Sequence, residues 1–381
     1  MHPLVQPGPE LTADELVRYD RQLLMPELGV EGQRRLKAAR VLVVGAGGLG
    51  SPVLAYLAAA GVGTIGVIDA DRVDTTNLHR QIIHSTQAVG TAKVDSAAAR
   101  MAALNPLVTV IAHDEAFTAT NAAAVVDGYD LVVDGTDNFA ARYLVNDACV
   151  LAGKPAVWAS ILRSDGQVSV FWAGHGPCYR CVFPTPPAAG EIPSCAEGGV
   201  LGVLPGVIGT VQATEAMKLI TGMGEPLLGR LLIHDALTQQ WQTLPVAADP
   251  DCPICGEDAR IGEVRAITGT TDAAQEAGIS VRELRQLLAE REAGRQEFAL
   301  VDLREPAEVA VSQIEGSITV PKSLLDSEEA ALPAGRLVLY CRSGARSAAV
   351  LQRLRRAGRT DVEHLEGGIL GWQHAAGTDR P

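Results

Sequence analysis

The chain has 381 residues, which is long for one hydrophobic core and makes two domains the default expectation. Only 4% of its residues are aromatic and its formal net charge is −13, whereas nucleic-acid surfaces normally combine basic with aromatic side chains. The composition therefore argues against a nucleic-acid partner, and 47% apolar residues supply ample material for buried cores.

The N-terminal part of the chain predicts neither a signal peptide nor a membrane span. Residues 1–15 lack a basic segment followed by an apolar core. The uncharged stretch Val41–Ile68 is long enough to cross a bilayer, but it holds seven glycines and Pro52 where a strand would turn into a helix. We expect buried strand, loop, helix and strand here, and a cytoplasmic protein with no membrane partner.

From Arg40 onward, apolar runs alternate with helix-like stretches. The order is VLVVGAG, SPVLAYLAAAG, TIGVIDAD, KVDSAAARMAAL, VTVIAH and DLVVDGTD. This alternation predicts an α/β fold with a Rossmann-like, mostly parallel sheet and helices on both faces. After a helix through Ala141–Ala152, the runs PAVWASI and GQVSVFW predict a hairpin added to the sheet.

A change of composition separates a second domain. Between Leu244 and about Ile279 the chain is rich in Pro, Gly, Asp, Thr and Ala, interrupted by CPIC. We expect a first domain over residues 1–260, a linker over 261–279 and a small α/β domain over 280–381. The second domain contains the helix SVRELRQLLAERE, the strands FALVDLRE and LVLYCRSG, and the basic helix ARSAAVLQRLRRAG.

A glycine-rich loop follows the first predicted strand. Gly45, Gly47, Gly48 and Gly50 of GAGGLG precede the next helix. Glycines there let the backbone approach a phosphate, whose charge is met by amides at the helix N-terminus. Asp69, at the end of the next strand, is suited to hydrogen bonds with a ribose. These residues predict a nucleotide site, which a nicotinamide dehydrogenase would fit nearly as well.

Residues further along the chain favour ATP over a dinucleotide. Arg80 and Lys93 place two cations after the second strand, and triphosphate chemistry needs cations to neutralise a departing pyrophosphate. Either one alone could be an ordinary solvated charge. Asp137 of DGTDN, at the end of a strand, is placed to hold Mg²⁺ near the crevice where open α/β sheets bind ligands. The motif GxxxxGK[ST] is absent, so the site is not a P-loop.

Over about residues 15–260 the chain resembles the ubiquitin-activating type of adenylyltransferase, specifically the MoeB/ThiF family. The matching segments are RYDRQLLMPELG, VLVVGAGGLGSP, VIDADRVDTTNLHRQIIH, GTAKVDSA and DGTDNFAARYLVND. The resemblance implies that ATP and Mg²⁺ bind at residues Gly45, Gly47, Gly48, Gly50, Asp69, Thr76, Asn77, Leu78, His79, Arg80, Lys93, Asp137 and Asn138.

The same resemblance implies a reaction and an assembly. The C-terminal glycine carboxylate of a carrier protein attacks the α-phosphate of ATP, giving an acyl-adenylate and pyrophosphate. Positioning and charge neutralisation suffice for that step, so no protein nucleophile is needed. Arg21, in RYDRQ, would reach across a homodimer into the partner's site; on its own it would pass as a helix-surface charge.

Two C-x-x-C pairs predict a structural zinc site. Cys178 and Cys181 form one pair, and Cys252 and Cys255 form the other. Four thiolates close a tetrahedral shell around Zn²⁺ and leave no position for water, so the site should be structural. Either pair alone could instead be a redox couple. The odd total of seven cysteines argues against a disulfide framework.

Two further cysteines are less distinctive. Cys195 lies in the polar, glycine-rich segment EIPSCAEGG. The resemblance implies that it can capture the activated carrier as a thioester or acyl disulfide, and the alternative is an ordinary loop cysteine. Cys149, in the helix-like run YLVNDACVLAG, is expected in the core.

Cys341 is the residue for which the sequence makes its most specific functional prediction. It ends the strand LVLY and precedes Arg342, Arg346 and a helix, so we expect a thiol that ionises near neutrality and holds an anionic persulfide. The loop resembles that of rhodaneses. A cysteine phosphatase would have C-x₅-R, whereas here four residues separate Cys341 from Arg346. The segment 302–305 (DLRE) also matches, as a structural ion pair; 312–317 (SQIEGS) replaces the usual GHIxGA.

The two resemblances together imply an adenylyltransferase fused to a sulfurtransferase. The substrate would be a ubiquitin-like sulfur-carrier protein ending in Gly-Gly, which leaves as a thiocarboxylate for molybdopterin, thiamine or related cofactor synthesis. A cysteine desulfurase or thiosulfate would load Cys341, which would deliver sulfur with or without Cys195. A dinucleotide oxidoreductase and a non-catalytic carrier-binding module are the alternatives.

Overall fold

The computed structural model describes residues 2–187, 199–265 and 278–378. These residues form two units, the first from 2–186 with 199–265 and the second from 278–378. Each unit has its own sheet and its own buried clusters. The predicted domain boundaries near 260 and 280 remain predictions, because residues 266–277 lie outside the described ranges.

The first unit contains an eight-stranded sheet in the order β3-β2-β1-β4-β5-β6-β7-β8. The first five strands are parallel. β5 and β6 form the predicted hairpin, and β7 and β8 extend the sheet antiparallel. The strands are β1 Arg40–Val44, β2 Thr64–Ile68, β3 Thr109–His113, β4 Leu131–Asp134, β5 Ala156–Leu162, β6 Asp165–Phe171, β7 Arg230–Asp235 and β8 Gln240–Pro245.

The helices of the first unit begin where local signals place them. Asn138 caps α7 by accepting a hydrogen bond from the Ala141 amide at 2.9 Å, so this helix starts two residues before the predicted position. α9 starts at Leu204, with Pro205 in its first turn, well ahead of the predicted TVQATEAMKLI. The helices are α1 Ala13–Arg18, α2 Asp20–Leu23, α3 Gly29–Ala38, α4 Gly50–Ala60, α5 Lys93–Leu104, α6 Ala122–Asp127, α7 Phe139–Leu151, α8 Tyr179–Val182 and α9 Leu204–Thr221, with 3₁₀ turns at Thr75–Asn77 and Thr86–Ala88.

Alternate residues of β1 enter two separate cores. Val41 and Val43 pack into the larger cluster, which includes Leu57 of α4, whereas Leu42 and Val44 pack with α6 and α7. Strand residues alternate between sheet faces, so helices cover both faces as predicted. Residues 41–68 form strand, loop, helix and strand, and no helix in the described part of the chain is long and apolar enough to span a membrane.

The second unit contains a five-stranded parallel sheet in the order β11-β10-β12-β13-β9. Its α/β class is the predicted one, although Gly278 and Ile279, placed in the linker by the sequence, form a sheet strand. The strands are β9 Gly278–Ile279, β10 Ala299–Asp302, β11 Ser317–Thr319, β12 Leu337–Tyr340 and β13 Val362–Leu365. The helices are α10 Val281–Glu292, α11 Pro306–Val309, α12 Lys322–Asp326, α13 Ala345–Arg356 and α14 Gly368–Thr378.

Candidate nucleotide site, metal centre and reactive cysteine

A cavity of about 350 Å³ lies at the carboxyl ends of β1, β2 and β4, where the strand order reverses. Open α/β sheets bind ligands at this switch point. The structure brings together at its wall most of the residues expected there: Gly45, Gly47, Gly48, Asp69, Arg80, Lys93, Asp137 and Asn138.

Tight backbone packing shapes the phosphate loop, defined here as residues 45–50. Gly45 has φ of +95°, and a Cβ on it would lie 3.0 Å from the Gly135 carbonyl oxygen. A Cβ on Gly50 would lie 1.9 Å from the Gly45 carbonyl oxygen. Gly50 is therefore needed for the turn itself and does not line the cavity.

The segment 76–79 supports the site without lining it. Thr76, Asn77, Leu78 and His79 are all absent from the cavity wall. The carbonyl oxygen of Thr76 instead accepts a hydrogen bond from Arg80 Nη1 at 3.1 Å, and that of Asn77 accepts one from the Arg80 amide at 3.1 Å. These residues form the turn that holds the Arg80 guanidinium at the cavity.

Donors and acceptors at the cavity are arranged for an anionic ligand. The amides of Gly47 and Gly48 donate to no acceptor among the described residues. Lys93 is buried except at the cavity and pairs with the exposed Asp71, with Nζ 2.7 Å from Oδ2. Asp69 accepts backbone hydrogen bonds from Ala46 and Asp71 at 2.8 Å each, which fixes its carboxylate at the cavity edge.

Sequence reasoning missed several wall residues. Asp71, Phe117 and Arg142 line the cavity, and Arg142 is only 5% exposed, with its guanidinium 5.0 Å from the Phe139 ring centre. Arg142 lies in the first turn of α7, four residues after the capping Asn138, so helical spacing was an available signal. Phe117 lies in irregular chain, and no local pattern places it beside the glycine loop.

The carboxylate behind the cavity is Asp134, at the end of β4. Burial raises its pKa, although hydrogen bonds from Thr136 oppose the shift. Thr136 donates to Asp134 Oδ1 through its amide at 2.9 Å and its hydroxyl at 2.7 Å. This local pairing shapes the turn that presents the neighbouring Asp137 at the cavity.

Arg21 lies elsewhere on the first unit. Its side chain is 89% exposed, its nearest carboxylate is that of Asp20 at 3.5 Å, and it does not line the nucleotide cavity. It borders a second cavity, of about 540 Å³, together with Tyr56 of α4 and Thr214 of α9. Any contribution of Arg21 to nucleotide chemistry would therefore have to be made in another copy of the chain.

The four cysteines of the two C-x-x-C pairs converge. Their sulfur atoms all lie within 4.8 Å of one another, with distances of 3.6 Å from Cys178 to Cys252 and 3.4 Å from Cys181 to Cys255. A tetrahedral zinc with bonds of about 2.3 Å requires sulfur separations of about 3.8 Å. The donor set and its spacing therefore fit a structural zinc ion.

Electrostatics within the cysteine cluster also favour a cation. Hydrogen bonding from Cys178 lowers the pKa of the Cys181 thiol, whereas burial raises that of Cys255. Closely packed thiols cannot all ionise without a compensating positive charge. The buried bidentate pair of Arg180 with Asp147, at 2.7 and 2.8 Å, fixes the chain between the first two cysteines.

Two cysteines of the first unit lie outside the two C-x-x-C pairs, and the structure describes one of them. Cys149 is 2% exposed in α7 and packs in the smaller core, as expected, and burial raises the pKa of its thiol. Cys195 falls in the range 188–198, outside the described residues, so its assignment remains a prediction.

In the second unit, Cys341 follows β12 and faces the start of α13. Its sulfur accepts a hydrogen bond from the Gly344 amide at 3.2 Å, and the Ser347 hydroxyl lies 3.7 Å away. The residue is fully buried in this conformation. Arg346 donates to both carboxylate oxygens of Glu308 at 2.7 Å, so its charge is compensated within the fold.

The expected ion pair in the segment 302–305 is confirmed. Arg304 Nη2 lies 2.6 Å from Asp302 Oδ2, and both side chains are buried. The segment 312–317, which departs from the rhodanese pattern, is still anchored: the Tyr340 hydroxyl lies 2.8 Å from the Ser317 hydroxyl and accepts from the Ile314 amide at 3.2 Å. The departure therefore leaves local packing intact.

The fold and its sites define a class: a two-unit protein whose Rossmann-like unit has a cavity at the switch point of its sheet, and whose small α/β unit has a buried cysteine just before a helix. Residues 19–254 match the ThiF family and residues 280–375 match the Rhodanese-like domain. The chain belongs to the ThiF family.

Full-length relatives share both parts. A probable adenylyltransferase/sulfurtransferase MoeZ of Mycobacterium tuberculosis is 50% identical over 380 residues, covering 97% of this chain and 96% of that protein. The adenylyltransferase and sulfurtransferase MOCS3 of Mus musculus is 40% identical over 407 residues, with 97% and 88% covered. A sulfur carrier protein adenylyltransferase of Thermus thermophilus is 54% identical over 252 residues, covering 65% of this chain and 93% of that protein.

Solved structures agree on the fold. The crystal structure of E. coli MccB with a MccA variant superposes with a TM-score of 0.58 at 24% identity, covering 63% of this chain and 75% of that one. The chain is thus an enzyme of the adenylyltransferase and sulfurtransferase class, which disfavours the dinucleotide oxidoreductase and the non-catalytic module.

Proposed function

We propose that the first unit uses ATP to adenylylate the C-terminal glycine of a ubiquitin-like sulfur-carrier protein, and that Cys341 then supplies sulfur to give a thiocarboxylate. The observation that carries the proposal is the convergence of free loop amides and the cations Arg80 and Lys93 at one cavity. A relative named sulfur carrier protein adenylyltransferase supports the choice of substrate.

The cavity assigns a role to each group. The amides of Gly47 and Gly48 would receive phosphate oxygens, and Asp69 would accept hydrogen bonds from the ribose hydroxyls. Arg80 and Lys93 would neutralise the departing pyrophosphate, with Lys93 leaving Asp71 to do so. Gly50 and residues 76–79 would act by shaping the loop and the turn.

Asp137 and Asn138 fit a magnesium ion that arrives with ATP. Both line the cavity, and they offer the carboxylate and amide oxygens that Mg²⁺ prefers. Asn138 Oδ1 already accepts the Ala141 amide, so Asp137 is the stronger candidate ligand. The ion would supply positive charge at the phosphates.

The chemistry would then proceed by three displacements. A carboxylate oxygen of the carrier attacks the α-phosphorus and pyrophosphate leaves, as positioning alone permits. The outer sulfur of a Cys341 persulfide next attacks the carrier's activated carbonyl carbon and AMP leaves, forming an acyl disulfide. A thiolate, which we assign to Cys195, attacks the Cys341 sulfur and releases the thiocarboxylate; a reducing thiol must then regenerate both cysteines.

Three further assignments belong to the proposal. The exposure of Arg21 supports a homodimer in which it reaches the partner's nucleotide. Either a cysteine desulfurase or thiosulfate would load Cys341. The reduced thiols needed for the zinc site favour a reducing compartment such as the cytoplasm.

The test is mass spectrometry of a Gly-Gly-terminated carrier incubated with the protein, Mg-ATP and thiosulfate, with Cys341→Ala in parallel. We expect the carrier to gain the mass difference between sulfur and oxygen with the wild type only. AMP release without that gain would support the activating half and reject the donor or the carrier. Neither signal across several carriers would overturn the proposal.

A further inference from the structure

His84 is a buried histidine that does not line the cavity. It follows the turn that carries Arg80 and is only 8% exposed. Its Nε2 lies 2.9 Å from the carbonyl oxygen of Ala46, inside the phosphate loop, and its Nδ1 lies 2.9 Å from the hydroxyl of Ser96 on α5. The ring thus bridges the loop and the helix that begins with Lys93.

The two partners fix the tautomer of the ring. A carbonyl oxygen can only accept, so Nε2 carries the proton and donates to Ala46. In the neutral ring Nδ1 then accepts from the Ser96 hydroxyl. Burial lowers the pKa of His84; the hydrogen bond to Ala46 and the Asp69 charge oppose this, and Lys93 adds to it. The neutral form therefore suits this position.

The Ala46 backbone is held through both its amide and its carbonyl group. Its amide donates to Asp69 Oδ2 at 2.8 Å, and its carbonyl accepts from His84. The next carbonyl, that of Gly47, accepts from the Ser51 amide at 3.0 Å and the Ser51 hydroxyl at 2.7 Å. With both carbonyls turned into the protein, the Gly47 and Gly48 amides are left for a ligand.

We propose that His84 is a positioning residue for nucleotide binding: by holding the Ala46 carbonyl and the Ser96 hydroxyl, it fixes the loop amides relative to Lys93. The inference rests on the proposed nucleotide site. Loss of the His84 hydrogen bonds should therefore change the affinity for ATP, and not carrier binding or sulfur transfer. Ser96 lies one turn beyond Lys93 in α5, so the bridge links the two phosphate-facing elements through one ring.

Two substitutions separate the hydrogen bond from the packing. His84→Gln keeps a donor where Nε2 lies, whereas His84→Leu fills the space with no donor. Losing one buried hydrogen bond should raise the Kd for Mg-ATP roughly tenfold in His84→Leu. His84→Gln should stay close to the wild type, and Ser96→Ala should fall between the two. His175→Leu, at an exposed histidine stacked on Trp172, is the matched control.

The measurement is equilibrium binding of Mg-ATP to the full-length protein by calorimetry, followed by the KM values for ATP and carrier in pyrophosphate exchange. We expect the KM for ATP to rise while the KM for the carrier and thiosulfate sulfurtransfer by the second unit stay unchanged. An unchanged Kd in His84→Leu would overturn the inference. So would equal losses of affinity and of thermal stability in His84→Gln and His84→Leu, because that pattern indicates packing alone.

Mg-ATP binding and carrier activation are measured separately, so failure of the proposed function can be distinguished from failure of the His84 inference. If the wild type binds Mg-ATP but activates no carrier, the proposed substrate is wrong and the His84 comparison still reads out through Kd. If the wild type binds no Mg-ATP, both the nucleotide site and the role of His84 are rejected.

Discussion

The phosphate loop of the first unit and the cysteine loop of the second, defined here as residues 341–344, have similar backbone geometry but use their backbone donors differently. Each follows a parallel strand, contains a glycine with positive φ (Gly45 at +95° and Gly344 at +97°) and leads into a helix. In the first loop, the Gly47 and Gly48 amides have no acceptor among the described residues. In the second, the Gly344 amide already points at the sulfur of Cys341.

The cations near the two loops also differ in whether a ligand can reach them. Arg80 and Lys93 line an open cavity, and the Asp71 carboxylate that pairs with Lys93 is exposed, so a ligand can displace it. Arg346 donates two hydrogen bonds to the half-buried carboxylate of Glu308. A loop that binds a diffusible anion needs hydrogen-bond donors that the ligand can reach. A loop whose reactive group is one of its own side chains can have its donors already bonded within the protein.

Removing the covalent group should have the largest effect. Cys341→Ala is expected to lower sulfur transfer to the carrier by more than about a thousandfold, because no other group replaces the nucleophile. Carrier-dependent pyrophosphate exchange should be unchanged. A loss of exchange in this variant would contradict the separation of the two loops.

Pyrophosphate exchange by the first unit should depend on the cations at the cavity. Arg80→Gln should reduce kcat/KM for pyrophosphate exchange by about a hundredfold, as expected for a lost charge contact in the transition state. Sulfurtransfer from thiosulfate by the second unit serves as the control in the same sample. Equal losses in both activities would indicate misfolding and not a lost contact.

Metal removal should affect the first unit alone. Cys181→Ala is expected to lose bound zinc and to lower the melting temperature of the first unit by roughly 10 °C or more, because structural zinc binding contributes directly to folding. Metal content by mass spectrometry and a separate thermal transition for the second unit provide the check. A variant that retains stoichiometric zinc would rule out the four-cysteine site.

Acid should weaken the ion pair between Arg346 and Glu308 in the second unit. Burial alone would raise the pKa of Glu308, but hydrogen bonding by Arg346 outweighs it and holds that pKa below its usual value. The carboxylate therefore stabilises the fold above the ordinary glutamate pKa of about 4.3, and this contribution is lost as the pH falls through the lowered value.

Glu308→Gln should accordingly lower the melting temperature of the second unit by a few degrees at pH 7. The difference from wild type should shrink as the pH falls below the ordinary glutamate pKa of about 4.3 and through the lowered pKa of Glu308. Thermal scans at several pH values test this. A difference that does not change with pH would mean that Glu308 contributes through packing and not through charge.

Much of the molecule could be predicted because its signals are local. The strand and helix order, the glycine loop and the cysteine pairs each occupy short stretches with a defined period or spacing. His84, Phe117 and the partner of Arg346 could not, since they meet their neighbours only after distant segments pack; Arg346 and Glu308 are 38 residues apart. Gly50 and residues 76–79 show that a matching motif does not separate groups that touch a ligand from groups that shape the turn.

The cysteine cluster has a consequence for folding kinetics. Its two pairs are 74 residues apart, and α9, β7 and β8 all lie between them. A metal that binds both pairs early closes this stretch into a loop. The entropic cost of bringing its ends together is then overcome before the antiparallel strands pair. Refolding from denaturant should then be slower without zinc, even where the final native sheet is the same.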